Sequence, residues 1–188
     1  MQNGVPVLDE LGRQLAFHAR AYRWMPRVLL RYWREVARLL AEASLGTGGL
    51  AVIGGTVVVV AFMTGAVGVE IGLQGYSALT KVGIDSFAGF LSSYANTREA
   101  APLIAGIALT ATVGAGFTAE LGAMRVSEEI DALEVMAVRS VPYLVTTRIV
   151  AGLIAIVPLF CFALLAAYGA TKLVITVVQG QPSGTYQH

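Results

Sequence analysis

The chain has 188 residues, 56% of them hydrophobic and 13% charged, with a formal net charge of +1. Ordinary soluble domains carry about 25% charged residues, so the composition argues against a soluble domain, and a balance this near neutral singles out no charged partner. The charges are also unevenly placed: residues 43–69, 100–119 and 149–171 contain no Asp, Glu, Lys or Arg, in stretches of 27, 20 and 23 residues. A helix needs about 20 predominantly apolar residues to cross a hydrocarbon core of ~30 Å, so the sequence predicts an all-α integral membrane protein with three transmembrane helices.

Residues 1–19 read as a flexible N-terminus, and the arginine-rich first 40 residues lack the apolar core of a cleavable signal peptide. Over residues 20–42 the spacing predicts an amphipathic interface helix. Arg20, Arg23, Arg27, Arg31, Arg34 and Arg38 fall on one face, with Met25, Leu29, Tyr32, Trp33, Val36 and Leu40 opposite. Pro26 fits if the regular helix begins near it. Tyr22, Trp24, Tyr32 and Trp33 suit the headgroup zone. Such a ridge could also grip nucleic acid, but on a membrane protein lipid phosphates are the nearest anions, so no nucleic-acid partner is expected.

The transmembrane region is expected over 43–178. Its first span runs from about Leu45 to Val69, extends outward toward Tyr76, and is dense in glycine: Gly46, Gly48, Gly49, Gly54, Gly55, Gly65, Gly68 and Gly72. The second helix should begin near Phe87 and exceed 30 residues, placing Arg98 and Glu99 within it. Adjacent charges there either mark the helix end at the interface or face protein or a water-filled cavity. Gly106, Thr110, Gly114, Thr118 and Gly122 recur every four residues, a smooth face suited either to packing within the subunit or to a dimer seam. The third span, Ile149 to Thr171, carries Pro158, where a kink is expected, and Cys161, read as a small apolar core residue. Residues 179–188 read as an external tail.

Between spans two and three lies RVSEEIDALEVMAVRSVP, residues 125–142, with Glu128, Glu129, Asp131 and Glu134 in seven positions. A helix of about twelve residues, 126–139, is expected, capped by Ser127 and closed by Pro142. It is too short to cross a bilayer. Val126, Ile130, Leu133 and Ala137 form an apolar row for packing, and the acids form a row offered outward. Ten basic residues lie in the N-terminal segment and beside this helix, against three (Lys81, Arg98, Lys172) on the other side. By the positive-inside rule the N-terminus and acidic helix are cytoplasmic. No metal-ligand cluster, HExxH, GxSxG or Walker motif is present, so no catalysis by this chain is expected.

GLQGY (72–76), TREAAPLIAG (97–106), TAELGAMRVSEEIDALEVMAV (118–138) and TTRIVAG (146–152) together resemble the MlaE/YrbE permease family of lipid-transporting ABC systems. The arginine-rich N-terminus and NTREAAPLIAG resemble the B-type YrbE subunits of actinobacterial Mce systems. The resemblance implies a permease subunit, not an enzyme, in the inner (plasma) membrane. It implies a second YrbE-type permease subunit, MCE-domain proteins outside, and a cytoplasmic MlaF/MceG-like ATPase that binds ATP and Mg; this chain itself binds no cofactor. It also implies that the acidic helix is a coupling helix, with Glu128, Glu129, Asp131, Leu133, Glu134 and Met136 docking on the ATPase. Arg98 and Glu99 match a charged pair beside a lipid cavity, and Tyr76 and Gln74 are further pocket candidates. Family members continue for two more membrane helices, so the chain is expected to be short of the full set. The alternative reading is a non-transporting membrane scaffold whose acidic helix recruits a cytoplasmic partner.

Overall fold

The computed structural model describes residues 5–45 and 55–182. All regular structure in them is helical: α1 (Val5–Arg31), α2 (Trp33–Leu45), α3 (Thr56–Lys81), α4 (Asp85–Val126), α5 (Glu129–Val135) and α6 (Val141–Val178). α3, α4 and α6 are long and apolar enough to cross a membrane. At 1.5 Å per residue α4 is about 63 Å long, roughly twice the hydrocarbon thickness. The early glycines Gly46, Gly48, Gly49 and Gly54 and most of the external tail lie outside the described residues.

The chain divides into two compact units, Met1–Ala41 with Gly116–Leu153, and Glu42–Ala115 with Ile154–His188. In the second, the face of α3 formed by Thr56, Val60, Thr64, Gly68 and Gly72 is buried. Its four-residue spacing repeats one helix stripe. Part of it packs on the 101–108 turns of α4, where Ala101, Ile104, Ala105 and Ala108 are buried. Gly68 lies against α6 so closely that a Cβ there would meet the Ala167 carbonyl at 2.5 Å, and a Cβ on Gly72 would meet Val174 at 2.9 Å. The small-xxx-small pair lets two backbones approach. Gly83, at φ +74°, turns the chain from α3 into α4.

On α6 the buried stripe is Ala151, Ala155, Leu159, Ala163, Ala167 and Thr171, again every four residues. Cys161 lies two positions off that stripe and is exposed, not the core residue expected. Pro158 lies inside α6, which continues through it. α6 also starts earlier than its charge-free stretch, because residues 141–146 form a wide π turn that includes Pro142. Similar wide turns interrupt α3 at Ile71–Gly75 and α4 at Asn96–Ala100 and Leu109–Gly114. Such turns concentrate at functional positions.

In the first unit, α1 packs on residues 141–146. Thr146 Oγ1 donates to the buried Ala21 carbonyl at 3.2 Å, and Tyr32 meets Tyr143 edge-on at 5.5 Å between centroids. Two expectations change here. Helix begins at Val5, upstream of Arg20, because residues 5–19 carry Leu8, Leu11 and Leu15 at helical spacing and an i,i+3 ion pair, Arg13–Glu10. Pro26 therefore lies within α1. The buried stripe is also rotated: Ala21, Val28, Val36 and Leu39 are buried, whereas Leu29 and Trp33 are exposed. All six ridge arginines are exposed.

The small-residue row of α4 is exposed, and a Cβ on Gly106, Gly114 or Gly122 would meet nothing within 4 Å.

Candidate functional site

α4 runs to Val126, and Ser127 still carries its last helical bonds. Its backbone N–H and its Oγ both donate to the Ala123 carbonyl, at 2.9 and 3.0 Å. Glu128 then takes a left-handed conformation, φ 60°, and becomes the N-cap of α5. Ser127 therefore belongs to the last turn of α4, which Glu128 breaks, and is not the cap expected; its hydroxyl also donates to Glu129 Oε1 at 3.0 Å. α5 has seven residues instead of about twelve. It ends in a Schellman motif, with Val138 N–H donating to the Leu133 carbonyl at 3.0 Å and Ala137 N–H to that of Glu134 at 3.0 Å. Ala137 occupies the left-handed position at φ 59°. Pro142 therefore does not close α5.

The four acids are not equivalent. Arg125 donates to Asp131 at 2.8 Å and Ser140 to Glu134 Oε1 at 2.8 Å. With Glu129 held by Ser127, three acids brace the two ends of the turn. Glu128 has no such partner among the described residues. Ile130 and Leu133 are half-buried, as the packing row requires, but Val126 is 86% exposed and Ala137 is exposed too. The shortened helix does not carry the row that far. Val135 and Met136, 88% and 65% exposed, put apolar surface beside the acids. This mixed surface is suited to docking a protein.

Above the turn lies a pair that the sequence reading did not identify. Arg148 is 6% exposed and meets Glu120 at 2.9 Å. Arg148 Nη1 also donates to the Leu144 carbonyl at 2.9 Å, and the guanidinium lies 5.7 Å from the Phe117 ring centroid. Each residue borders a charge-free stretch and reads as a span end. The available signal is symmetry, since both stand fourteen positions from Glu134, as partners on two arms of a hairpin would.

The substrate candidates sit elsewhere. Arg98 and Glu99 occupy the wide turn Asn96–Ala100 and are both exposed. No ion pair joins them among the described residues; Arg98 lies instead 5.9 Å from the Tyr94 ring centroid. Gln74 donates to Glu70, and Tyr76 is half-buried with its carbonyl accepting from Thr80 at 2.9 Å. Behind Arg98 lies a polar network that the apolar pattern concealed. Asn96 is buried and donates to Ser92 Oγ at 3.1 Å and to Thr171 Oγ1 at 3.0 Å; Thr171 donates to the Gly68 carbonyl at 2.9 Å. Thr97 and Tyr168 bond at 2.5 Å through their hydroxyls. These bonds hold the wide turn against α6 and fix where Arg98 and Glu99 emerge.

Residues 48–188 match the family model described as Permease MlaE. A probable ABC transporter permease protein of Rickettsia bellii is 33% identical over 129 residues, covering 69% of this chain and 46% of the relative. The chloroplastic protein TRIGALACTOSYLDIACYLGLYCEROL 1 of Arabidopsis thaliana is 30% identical over 133 residues, 70% of this chain and 35% of the relative. The intermembrane phospholipid transport system permease protein MlaE of Haemophilus influenzae is 28% identical over 120 residues, 64% of this chain and 46% of the relative. The chain thus spans less than half the length of these curated relatives.

Proposed function

The chain belongs to the MlaE permease family, and from that premise we propose that it is a permease subunit of an MCE-type ABC transporter moving hydrophobic lipids across the cell envelope. In this reading a separate cytoplasmic ATPase binds ATP and Mg and docks on α5. The observation that carries it is the surface of α5. A seven-residue acidic helix, too short to span, is locked at both ends between α4 and α6 and presents Val135 and Met136 beside Glu128. Displacing α5 moves both spans, because Arg125–Asp131 ties it to α4 and Ser140–Glu134 ties it to the start of α6. That is a rigid linkage for nucleotide-driven motion.

Arg98 and Glu99 are the headgroup-facing candidates of the substrate path, with Tyr76 and Gln74 secondary. The exposed small-residue row of α4 is the candidate seam for a second permease subunit, of the A type if this chain is a B-type YrbE. The membrane is the inner (plasma) membrane, with α1 and α5 on the cytoplasmic side. The test is purification of the full-length protein from its native membrane. Co-purification of a nucleotide-binding subunit and of lipid supports the transporter; a complex lacking that subunit favours a scaffold.

A further inference from the structure

A groove of about 610 Å³ opens between α1 and the segment leading from α5 into α6. Trp24, Arg27, Arg31, Tyr32, Arg139 and Pro142 line it. The volume is that of a small-ligand site. Its charge is one-sided. The guanidinium carbons of Arg27 and Arg139 stand 5.0 and 4.8 Å from the centroid of the same Trp24 ring. Arg31 adds a third guanidinium to the lining. No ion pair reaches Arg27, Arg31 or Arg139 among the described residues. Glu134 lines an adjoining cavity, but its carboxylate already accepts from Ser140 at 2.8 Å.

Two like charges gathered about one ring repel, and cation–π attraction only partly offsets this. A phosphate between them would remove the repulsion. Guanidinium forks match phosphate oxygens two at a time, and a stacked arginine keeps its donor edge free. Arg27 and Arg31 are four residues apart, so both reach the same side of α1.

We infer that this groove is a phosphate site occupied by an anionic lipid headgroup. The lipid source rests on the reading of α1 as a helix at the membrane interface, where headgroups are the phosphates at hand. The location adds a consequence. Ala137 and Val138, the closing residues of α5, also line the groove. Occupancy therefore braces α5 from the side of α1, and headgroup binding strengthens the seating of the coupling element.

The test uses the purified complex containing the full-length chain, reconstituted in phosphatidylcholine with and without phosphatidic acid. Retained phosphatidic acid is counted by native mass spectrometry. Arg27→Gln with Arg139→Gln should lower retention at least about tenfold, the factor that losing even one charge-assisted hydrogen bond supplies. Arg34→Gln with Arg38→Gln removes two charges of the same arginine ridge from α2, outside the groove, and should lower retention far less than the groove variant. Arg27→Lys with Arg139→Lys keeps the charge, guards against misfolding, and should retain an intermediate amount. Equal loss in the groove and α2 variants would reduce the effect to the general field of the arginine face and overturn the site. Inorganic phosphate binding as tightly in phosphatidylcholine alone would overturn the lipid assignment. Loss of a co-purifying ATPase with phosphatidic acid retained would show a protein-docking surface instead, and that outcome is distinct from failure of the transporter reading, in which no ATPase is found with the unaltered protein.

Discussion

Glu120 and Arg148 meet at 2.9 Å across the base of the α4–α6 hairpin, and their burial is unequal: Arg148 is 6% exposed by side chain and Glu120 40%. The inequality sets which partner is costly to remove. Without Glu120 a buried guanidinium loses its counter-charge, whereas without Arg148 a carboxylate remains that solvent or headgroups can reach.

Breaking a fully buried pair costs roughly 3–5 kcal/mol, and the exposure of Glu120 places its loss toward or below the lower end. Glu120→Ala should therefore destabilise by about 2–3 kcal/mol, and Arg148→Met, which keeps the side-chain volume, by less. Thermal unfolding in detergent compares them. Equal cost, or a larger cost for Arg148→Met, would contradict the asymmetry.

Gly68 is the tight contact of the α3–α6 packing. Gly68→Ala places a methyl 2.5 Å from the Ala167 carbonyl, and overpacking of this kind costs about 1–3 kcal/mol. Gly106→Ala, with open space at its Cβ, should leave the isolated chain unaffected or slightly more stable. If the α4 row is the proposed seam, Gly106→Leu should weaken association of a second permease subunit. Unimpaired association would remove the α4 row from the seam.

Ala137 holds the left-handed position that closes α5. Left-handed backbone costs a non-glycine residue about 1–2 kcal/mol, so Ala137→Gly should stabilise the turn by about 1 kcal/mol. Slower hydrogen exchange at the Val138 amide, whose bond to Leu133 completes the motif, would show it. Faster exchange would contradict it.

Arg98→Ala should reduce lipid uptake with assembly intact, because Arg98 is exposed and carries no ion pair among the described residues whose loss would unseat the helix. Asn96→Ala should do more, lowering both uptake and stability, since it removes a buried bridge to Thr171. If Arg98→Ala transports lipid at the normal rate, the pair belongs to the helix surface alone.

The three spans were legible because charge is absent from three stretches of membrane length, and α4 begins at Asp85, two residues before the expected Phe87. The length of α5 was not legible. Its ends are set by Glu128 and Ala137 in left-handed conformations, and neither residue type announces that backbone. Ser127 looks like a cap and instead bonds backwards to Ala123. Of the site residues, the acids and Arg98–Glu99 could be picked out as charges in apolar surroundings. Glu120–Arg148 offered only their equal spacing from Glu134, which does not decide a pairing, because pairing across a hairpin depends on the register that the turn sets. Asn96, Ser92, Thr97, Thr171 and Tyr168 are ordinary polar residues one by one; only the approach of α6 allowed by Gly68 makes them a network.

The central claim, that α5 couples this permease to a separate ATPase, is tested most directly by co-purification of the nucleotide-binding subunit with Glu128, Asp131 and Glu134 together changed to Lys. Arg125→Gln with Ser140→Ala serves as the control, since it removes the internal partners of Asp131 and Glu134 and leaves the acids in place. The triple variant should reach the membrane in normal amount and lose the ATPase, while the control keeps it. An ATPase retained at the unaltered level by the triple variant would contradict the account.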